Sequence, residues 1–369
     1  MAPKLTSAAR FIFLLIGVFL SFFESNCSPT NFRASDEEAF YNAGRQSHRR
    51  QSTTCDLSVG KWVHDDSYPL YSSARCPFLS TRVSCQKNGR PDSDYEKWRW
   101  QPFGCSIPRF NALNFLGRMR RKRIMLVGDS IMRNQWESLA CLVQGVLPSA
   151  KKRVTYHGPC ISLHALGFGA SFEFCWAPML VEFKKEASGK KILFVDLIEE
   201  NAKYWKGVDV LVFDSAHWWT HTNQWDLVME GGHMITNMPP MVAYEKGLST
   251  WANWVRENLN PRQTRVIFRS VSPMHSRFNG QRCNKQSEPL MLSQRHHIPR
   301  PMQVLKHVLR RTQFPVYLQD ITTMSALRRD GHPSWYSGSA YSDCSHWCLP
   351  GVPDSWNEML NVILLHSGL

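Results

Sequence analysis

The stretch Arg123-Ile-Met-Leu-Val-Gly-Asp-Ser130-Ile-Met-Arg-Asn-Gln135 decides the fold of this chain. An apolar run ends there in Gly-Asp-Ser, and a helical pattern follows at once. The apolar residues of that pattern recur at i, i+4, i+7, i+8 and i+11, and they are Met132, Trp136, Leu139, Ala140 and Val143. We therefore predict that Ser130 lies where a buried strand turns into a helix.

A serine at such a turn has two interpretations. Its hydroxyl would lie beside the N–H groups of the helix start, which favour negative charge. A serine nucleophile needs that environment, because its attack on an ester carbonyl creates an oxyanion. Gly-Asp-Ser also occurs as an ordinary turn with a serine cap, so the motif alone leaves both interpretations open.

Short apolar runs recur along the chain at residues 124–127, 192–197, 208–213, 266–271 and 316–321. Such runs are typical of strands buried on both faces of a mostly parallel sheet. Helical patterns lie between them, and residues 356–365 are predicted to form a final helix. The alternation predicts an α/β fold with a doubly wound, mostly parallel sheet. Ligands of that fold bind beyond the carboxyl ends of the strands, where polar residues such as Asp214, His217 and His275 follow apolar runs; caps and turns are the alternative for some.

The N-terminus and the cysteines indicate the secretory pathway. Lys4 and Arg10 precede a nearly continuous apolar run, so residues 1–27 are predicted to be a signal peptide or a signal anchor. All cysteines but Cys27 lie beyond that segment, and their even number indicates disulfides in an oxidising compartment. A metal site at residues 344–348 is the alternative, but no second ligand pair with zinc-like spacing occurs, and no metal is expected.

Composition divides the remaining chain into three parts. Residues 28–54 are polar and are predicted to form a flexible stem. Residues 55–109 are rich in Cys, Trp, Tyr, Pro and Gly with little periodicity, which predicts a loop-rich cap held by disulfides. Residues 110–369 carry the strand and helix patterns and are predicted to form the catalytic domain.

The net charge of the chain is +14. Nucleic acid, an anionic membrane surface and an acidic polysaccharide are partners that such a charge can attract, and a solvated basic face is the alternative. No zinc-finger spacing, homeodomain-like helix or RNA-binding aromatic signature accompanies the charge. We therefore expect no nucleic-acid partner.

A second block, Asp343-Cys-Ser-His346-Trp-Cys-Leu-Pro-Gly351, supplies partners for Ser130. Asp343 and His346 are three residues apart and can meet on a turn or a short helix. His346 would take the Ser130 proton, and Asp343 would orient the imidazole. Each residue taken alone has a structural alternative, a buried histidine or a helix cap.

These two blocks together resemble the plant trichome birefringence-like proteins, which are PC-esterases related to the SGNH/GDSL esterases. Further family motifs follow in the expected order: Cys55-Asp-Leu-x-x-Gly60-x-Trp-Val, Gly89-Arg-Pro-Asp-Ser-Asp-Tyr95, His217-Trp-Trp219, Ser270-Val-Ser-Pro273-x-His275 and Trp347-Cys-Leu-Pro-Gly351. The resemblance covers residues 55–369. The second of these motifs is closest to the branch linked to pectin and powdery-mildew resistance.

The resemblance implies an SGNH-like catalytic domain with Ser130 as nucleophile, His346 as base and Asp343 as the carboxylate that orients it. It also implies oxyanion or substrate contacts from Gly128, Asp129, Arg133, Asn134 and His217. A capping or structural role is the alternative for the last three. The family sequence Asn-Thr-Gly before His217 is replaced here by Asp214-Ser-Ala, which removes a glycine and adds a carboxylate near the site.

Four disulfides are also implied by the resemblance: Cys55–Cys105, Cys76–Cys141, Cys85–Cys348 and Cys283–Cys344. Cys160 and Cys175 remain, and we pair them by elimination. The bonds to Cys344 and Cys348 would tie the segment that carries Asp343 and His346, here called the Asp-His segment, to the cap and to the body of the protein.

The activity implied by the resemblance is transfer of acetyl groups to hydroxyls of a plant cell-wall polysaccharide of the pectin or xylan type. An acetylesterase with the same triad is one alternative. Another is a non-catalytic pectin-binding protein that stacks sugars on Trp98, Trp100, Trp218 and Trp219. No bound cofactor is expected, but an acetyl donor is required, either acetyl-CoA or an acetylated relay.

The resemblance also sets expectations for partners and location. The expected partners are the polysaccharide acceptor, acidic pectin included, and an acetyl-donor transporter in the Golgi membrane. The expected location is the Golgi membrane, in type II orientation with a lumenal catalytic domain, or the cell wall after secretion.

Overall fold

The computed structural model describes residues 55–220, 224–275, 283, 287–290 and 298–366. The predicted targeting segment and stem, residues 1–54, lie outside the described residues. No helix in the described part of the chain combines the length and the apolar character needed to cross a membrane.

The strands of the described residues are β1 Gly60–His64, β2 Trp98–Pro102, β3 Arg123–Gly128, β4 Lys152–His157, β5 Cys160–Ala165, β6 Ala170–Trp176, β7 Glu182–Lys185, β8 Lys191–Phe194, β9 Val210–Phe213, β10 Leu227–Glu230, β11 His233–Ile235, β12 Arg265–Arg269 and β13 Val316–Gln319. The α-helices are α1 Ala112–Arg118, α2 Ser130–Gln144, α3 Glu199–Ala202, α4 Pro240–Asn258, α5 Arg300–Arg311, α6 Thr322–Ala326 and α7 Val352–His366.

Strand β3 lies at the centre of the main sheet, whose order across the described residues is β13-β12-β9-β3-β6-β5-β4. The strands from β13 to β6 run parallel to one another, and β5 and β4 extend the sheet with antiparallel pairing. Residues 124–128 of β3 are fully buried, as expected for a strand covered on both faces. The predicted α/β fold with a mostly parallel sheet is confirmed.

The side chains of β3 alternate between two apolar cores on opposite faces of the sheet. Ile124 and Leu126 belong to the core that includes side chains of α1, α2 and α7. Met125 and Val127 belong to the core that includes side chains of α4 and α5. Helices therefore cover both faces, which is the doubly wound arrangement.

The apolar run at residues 192–197 is not a strand of the main sheet, so that interpretation is wrong. Its strand, β8, pairs with β10 and β7 in a separate sheet of order β11-β10-β8-β7. Only Ile192 and Leu193 of β8 are buried. A run this short does not specify its neighbours, because strand pairing depends on residues far away in the sequence.

Residues 55–109, the predicted cap, consist of the antiparallel pair β1–β2, three 3-10 helices and connecting loops. The disulfide Cys55–Cys105 closes this segment on itself. Cys76–Cys141 joins it to α2, and Cys85–Cys348 joins it to the chain before α7. Cys160–Cys175 links β5 to β6, and Cys283–Cys344 has the pairing expected above. The loop-rich cap with its disulfides is thus present.

Hydrogen bonds from two tyrosines also join the cap to α7. The Tyr68 hydroxyl donates to Glu358 at 2.7 Å, and the Tyr71 hydroxyl donates to Asp354 at 2.9 Å. Both carboxyl groups are almost fully buried. Burial raises the pKa of Glu358 to about 7 and that of Asp354 to about 6.

Candidate active site

The turn from β3 into α2 places Ser130 at the first position of the helix. Asp129 is the N-cap, and its carboxylate accepts the N–H of Ile131 at 2.8 Å. Gly128 lies so close to β9 that a Cβ atom there would stand 2.7 Å from the carbonyl oxygen of Asp214. The glycine is therefore required by packing, and the acid by capping, whatever chemistry the serine performs.

Ser130, His346 and Asp343 form one hydrogen-bonded chain. The Ser130 Oγ lies 2.8 Å from His346 Nε2, and His346 Nδ1 lies 2.8 Å from Asp343 Oδ2. Ser130 is half-buried, whereas the imidazole is almost fully buried. Ser130 lies more than two hundred positions before Asp343 and His346 in the sequence. The structure brings the three residues together in the order that a serine, a base and an orienting carboxylate need.

Asp343 is held by more than the imidazole. Its Oδ1 accepts the backbone N–H groups of Ser345 at 3.0 Å and His346 at 3.1 Å. Burial opposes ionisation of this carboxyl, but its bonds to His346 and to these two N–H groups outweigh burial and hold its pKa well below the usual range. Asp343 is therefore a carboxylate at neutral pH, fixed on the Nδ1 side of the imidazole.

Asn134 fastens the Asp-His segment to α2. Its Oδ1 accepts the N–H of Trp347 at 2.7 Å, and its Nδ2 donates to the carbonyl of the same residue at 3.2 Å. The side chain is buried. Both polar ends of this amide are engaged one residue after His346, so the contacts of Asn134 set the position of the base.

Arg133 lies in the first turn of α2, and His217 follows β9. The Arg133 side chain is half exposed, and its Nε donates to the buried carboxylate of Glu137 at 3.0 Å. His217 begins the 3-10 helix His217–Trp219 after β9 and is half-buried. The second carboxylate oxygen of Asp129 is buried and has no hydrogen-bond partner among the described residues. Oxyanion or substrate contacts by these residues stay predictions.

A buried ion pair contacts the start of α2. Arg269, the last residue of β12, pairs with Asp214, which follows β9. The same guanidinium donates to the carbonyl of Ile131 at 3.1 Å. Asp214, which replaces the asparagine of the family pattern, is therefore the counter-ion of Arg269. Arg269 in turn contacts α2, the helix that carries Ser130.

The cysteines around His346 are in disulfides. Cys344 bonds to Cys283, and Cys348 bonds to Cys85, so neither offers a thiolate to a metal. Within the described part of the chain no group of three or more His, Cys, Asp or Glu side chains is arranged to hold a metal ion. The two bonds fix the short segment that carries Asp343 and His346.

Two of the four tryptophans considered for sugar stacking are core residues. Trp100 is buried and donates to the carbonyl of Leu57, and Trp219 is buried against Tyr244. Trp98 and Trp218 are half-buried and pack edge-on against other rings. Packing therefore accounts for Trp100 and Trp219.

The sequence matches two family models. Residues 107–363 match the PC-Esterase model, described as the GDSL/SGNH-like acyl-esterase family found in Pmr5 and Cas1p. Residues 53–106 match the PMR5 N-terminal domain. Together with the serine, base and carboxylate chain, these matches decide the family. The chain belongs to the PC-esterase family.

Curated relatives of this PC-esterase come from Arabidopsis thaliana. Protein trichome birefringence-like 36 is 54% identical, and the match covers 99% of this chain and 100% of that protein. Protein trichome birefringence-like 40 is 46% identical, with 85% and 87% covered. Protein trichome birefringence-like 38 is 43% identical, with 88% of each chain covered. Membership of the PC-esterase family implies an esterase or acyltransferase activity.

Two residues near the site were not predicted from the sequence. Arg269 could have been noticed, because a charged residue that ends an apolar strand needs a buried partner. His332 lies in a loop without any local pattern, yet its Nδ1 is 2.6 Å from the carbonyl oxygen of His346. Only the folded chain brings it to the site.

Proposed function

We propose that this PC-esterase transfers acetyl groups to hydroxyls of a plant cell-wall polysaccharide through an acetyl-serine at Ser130. The observation that carries the proposal is the chain Ser130–His346–Asp343, with both contacts at 2.8 Å. This geometry suits a serine that must lose its proton as it attacks and regain it later.

The reaction has two balanced halves. Ser130 Oγ attacks the acetyl carbonyl of the donor, its proton passes to His346 Nε2, and the donor's leaving group departs with that proton. A sugar hydroxyl then attacks the acetyl-serine while His346 takes the hydroxyl proton. Collapse of the tetrahedral intermediate releases the acetylated sugar and returns the proton to Ser130. Asp343 stabilises the protonated imidazole in both halves.

The N–H groups at the start of α2 support the same chemistry. Ser130 is the first residue of α2, and the N–H groups of a first helical turn have no partner within the helix, although the Asp129 carboxylate accepts that of Ile131. The partial positive charge there favours the oxyanion that forms when Ser130 attacks. We expect Ser130→Ala to lose transfer by a factor of roughly 10³ or more while the fold is kept.

Exposed aromatic side chains on the loop that ends at Asp343 support a carbohydrate acceptor. Ser334 and Asp343 bond to each other's backbone at 2.8 and 2.9 Å and close a loop between them. Trp335 is 51% exposed and Tyr341 is 81% exposed on that loop. Aromatic faces of this kind stack on sugar rings, and the loop ends directly at Asp343.

Hydrolysis is the second candidate, in which water replaces the sugar hydroxyl. The observation that favours it is the partial exposure of Ser130, since water can reach an acetyl-serine at an open site. Both reactions share the first half and differ only in the acceptor. Acetylated sugar as the main product supports transfer, whereas free acetate at the same rate with and without sugar supports hydrolysis.

The test is incubation with an acetyl donor and defined oligosaccharides of pectin, xylan and mannan, followed by mass spectrometry. Acetyl-CoA and a pre-acetylated oligosaccharide serve as alternative donors, the second standing for an acetylated relay. Ser130→Ala is the matched control. Binding of the oligosaccharides without turnover of any acetyl ester would support the non-catalytic alternative.

We also propose that the protein works in the secretory pathway, in the Golgi lumen or in the cell wall. Five disulfides among the described residues support an oxidising compartment. An acetyl donor made in the cytosol would need a membrane transporter to reach such a site. Fractionation of plant cells, followed by immunodetection and sequencing of the mature N-terminus, tests the location and whether residues 1–27 are removed.

A further inference from the structure

Two buried histidines lie behind the base of the site. His275 is 5% exposed and His332 is 2% exposed. His275 Nδ1 lies 2.6 Å from His332 Nε2. The outer nitrogens of the two rings both face carbonyl oxygens, because His275 Nε2 is 3.1 Å from Ala326 O and His332 Nδ1 is 2.6 Å from His346 O.

The carbonyl oxygens of Ala326 and His346, at the two ends of this row of contacts, fix how many hydrogens the two rings must carry. A carbonyl oxygen only accepts, so His275 Nε2 and His332 Nδ1 must each carry a hydrogen. The contact between the two rings needs a third hydrogen. Two neutral imidazoles carry one hydrogen each and so supply only two. The fully bonded pair therefore holds one extra proton and one positive charge.

If both rings were neutral, one of these three contacts would be repulsive. Moving the hydrogens leaves two lone pairs facing each other, either between the rings at 2.6 Å or against one of the carbonyl groups. Burial and the neighbouring His275 hold the pKa of His332 well below its usual range, and its bond to His346 and the charge of Asp343 offset this only in part. The short contacts decide in favour of the proton, because no neutral arrangement satisfies all three.

Among the described residues, charged groups near the pair lie on the cap, on the loop before His332 and on the Asp-His segment. Arg90 donates to the carbonyl of His332 at 3.1 Å and is paired with Asp92 at 2.9 Å. Arg328 is paired with Asp330 at 2.6 Å. Each of these arginines is paired with its own aspartate. The ionisable groups on the Asp-His segment are Asp343 and His346. The Trp347 ring stacks on His332 with centroids 4.0 Å apart, a contact that favours a cationic ring.

We propose that His275 and His332 are a positioning pair, which shares one proton and holds the backbone of His346 in place for Ser130. This rests on the proposed function of Ser130 and His346. The pair acts on the carbonyl of His346, while Asn134 acts on the next residue, so both ends of this peptide unit are fixed. Loss of the shared proton breaks one of the three bonds, so the protonated pair holds the backbone of His346 more firmly than a neutral pair does.

Matched variants separate the two bonds of His332. In His332→Asn the amide nitrogen takes the place of Nδ1 and can still donate to the His346 carbonyl. In His332→Gln the amide reaches only the Nε2 position, so that donation is lost. Displacement of a catalytic group by about 1 Å costs on the order of 100-fold in rate. We expect His332→Gln to lose about that factor and His332→Asn to stay within about 10-fold of the wild type.

His275→Gln tests the shared proton itself. Its amide nitrogen can donate to Ala326 O, and His332 can then be neutral and keep its bond to His346. The wild type is expected to lose rate at alkaline pH as the pair gives up its proton, and His275→Gln is expected to lack that fall. A purely structural role would leave the shape of the pH profile unchanged.

The experiment measures two quantities on the full disulfide-bonded chain. The first is the rate at which a fluorophosphonate labels Ser130 across pH, for the wild type and the three variants. The second is the proton count of His275 and His332 from NMR of protein labelled with ¹⁵N-histidine, which does not depend on activity. Three protonated nitrogens in the pair at neutral pH and the predicted rates support the proposal.

Other outcomes overturn one claim or the other. Two neutral rings at neutral pH, or wild-type labelling of folded His332→Gln, would overturn the positioning pair. Wild-type protein that is not labelled at any pH would overturn the proposed function of Ser130, while the NMR count would still decide whether the pair holds its proton.

Discussion

At the scale of single residues, two backbone contacts of the Asp-His segment matter as much as the triad bonds. Asn134 bonds to both polar groups of the Trp347 backbone, and His332 bonds to the carbonyl of His346. The imidazole is therefore positioned through its main chain as well as through Asp343. Precise placement of a base is worth a large part of its catalytic effect.

Replacement of Asn134 by alanine should lower both stability and activity. It removes two hydrogen bonds and leaves the buried N–H and carbonyl of Trp347 without partners, which costs about 1–3 kcal/mol. Urea unfolding gives the free energy of unfolding, and Ser130 labelling gives the activity. Asn114→Ala, on the exposed side of α1, is the control and should change neither. Full activity of folded Asn134→Ala would show that α2 does not position the base.

At the scale of elements, the strand–turn–helix at residues 123–144 could be predicted because its signals are local. An apolar run, a glycine, an N-cap and a helical stripe follow one another within one stretch. The structure adds that α2 also buries polar residues, which bond to α7 and to the cap. Gln135 bonds to Asn357, and Ser138 bonds to Asp354. Those partners lie more than two hundred residues away, so a helical period cannot indicate them.

From the sequence, Ser130 could be paired with Asp343 and His346 only as two motifs that act together. The distances between these side chains are known only from the folded structure. The partners of β8 and the contact of His332 with His346 could not be predicted. Both depend on which distant segments become neighbours, and the local sequence carries no signal of that. Four of the disulfide pairings, by contrast, were accessible through the family resemblance, and Cys160–Cys175 followed by elimination.

The disulfide Cys283–Cys344 should matter more for activity than Cys55–Cys105. Their sequence separations, 61 and 50 residues, are similar, so removing either costs a similar loop entropy, within about 2–5 kcal/mol in total. Cys344 is next to Asp343, whereas Cys55 and Cys105 lie within the cap. We expect a Cys283→Ser/Cys344→Ser variant to label Ser130 more slowly than a Cys55→Ser/Cys105→Ser variant of equal stability. Equal labelling rates would contradict this.

The loop from Ser334 to Asp343 should bind the acceptor rather than the acetyl group. Replacing Trp335 or Tyr341 by alanine removes a stacking face worth about 1 kcal/mol, which raises KM for an oligosaccharide roughly fivefold. The rate with a small acetyl ester should stay unchanged. Tyr156→Ala is a matched control, since that tyrosine is 77% exposed on β4. Unchanged KM in both loop variants would remove the loop from the acceptor site.

At the scale of the whole molecule, buried carboxyl groups between the cap and α7 link stability to pH. The pKa of Glu358 is raised to about 7, so the folded protein holds this proton more tightly than the unfolded chain does. Stability from this group is present at low pH and falls as the pH rises from about 4 to about 7. Asp343 acts in the opposite direction, because its pKa is lowered and its contribution is lost in acid.

The variant Glu358→Gln should flatten the decline of stability with rising pH. Glutamine can accept the same bonds from Tyr68 and Phe110 without becoming charged. We expect the free energy of unfolding at pH 8 to rise relative to the wild type by roughly 2–3 kcal/mol, measured by urea unfolding from pH 5 to pH 8. Glu257→Gln, at an exposed position, should leave the profile unchanged. A wild-type slope in Glu358→Gln would mean that this carboxyl is not the source.

The most direct test of the mechanism is to find the acetyl group on Ser130. Protein incubated with an acetyl donor is quenched in acid, digested and examined by peptide mass spectrometry. We predict one acetyl group on the peptide that carries Ser130, none in Ser130→Ala, and loss of the group to the sugar when an acceptor oligosaccharide is added. Acetylated oligosaccharide formed by folded Ser130→Ala at the wild-type rate would contradict the acetyl-serine mechanism.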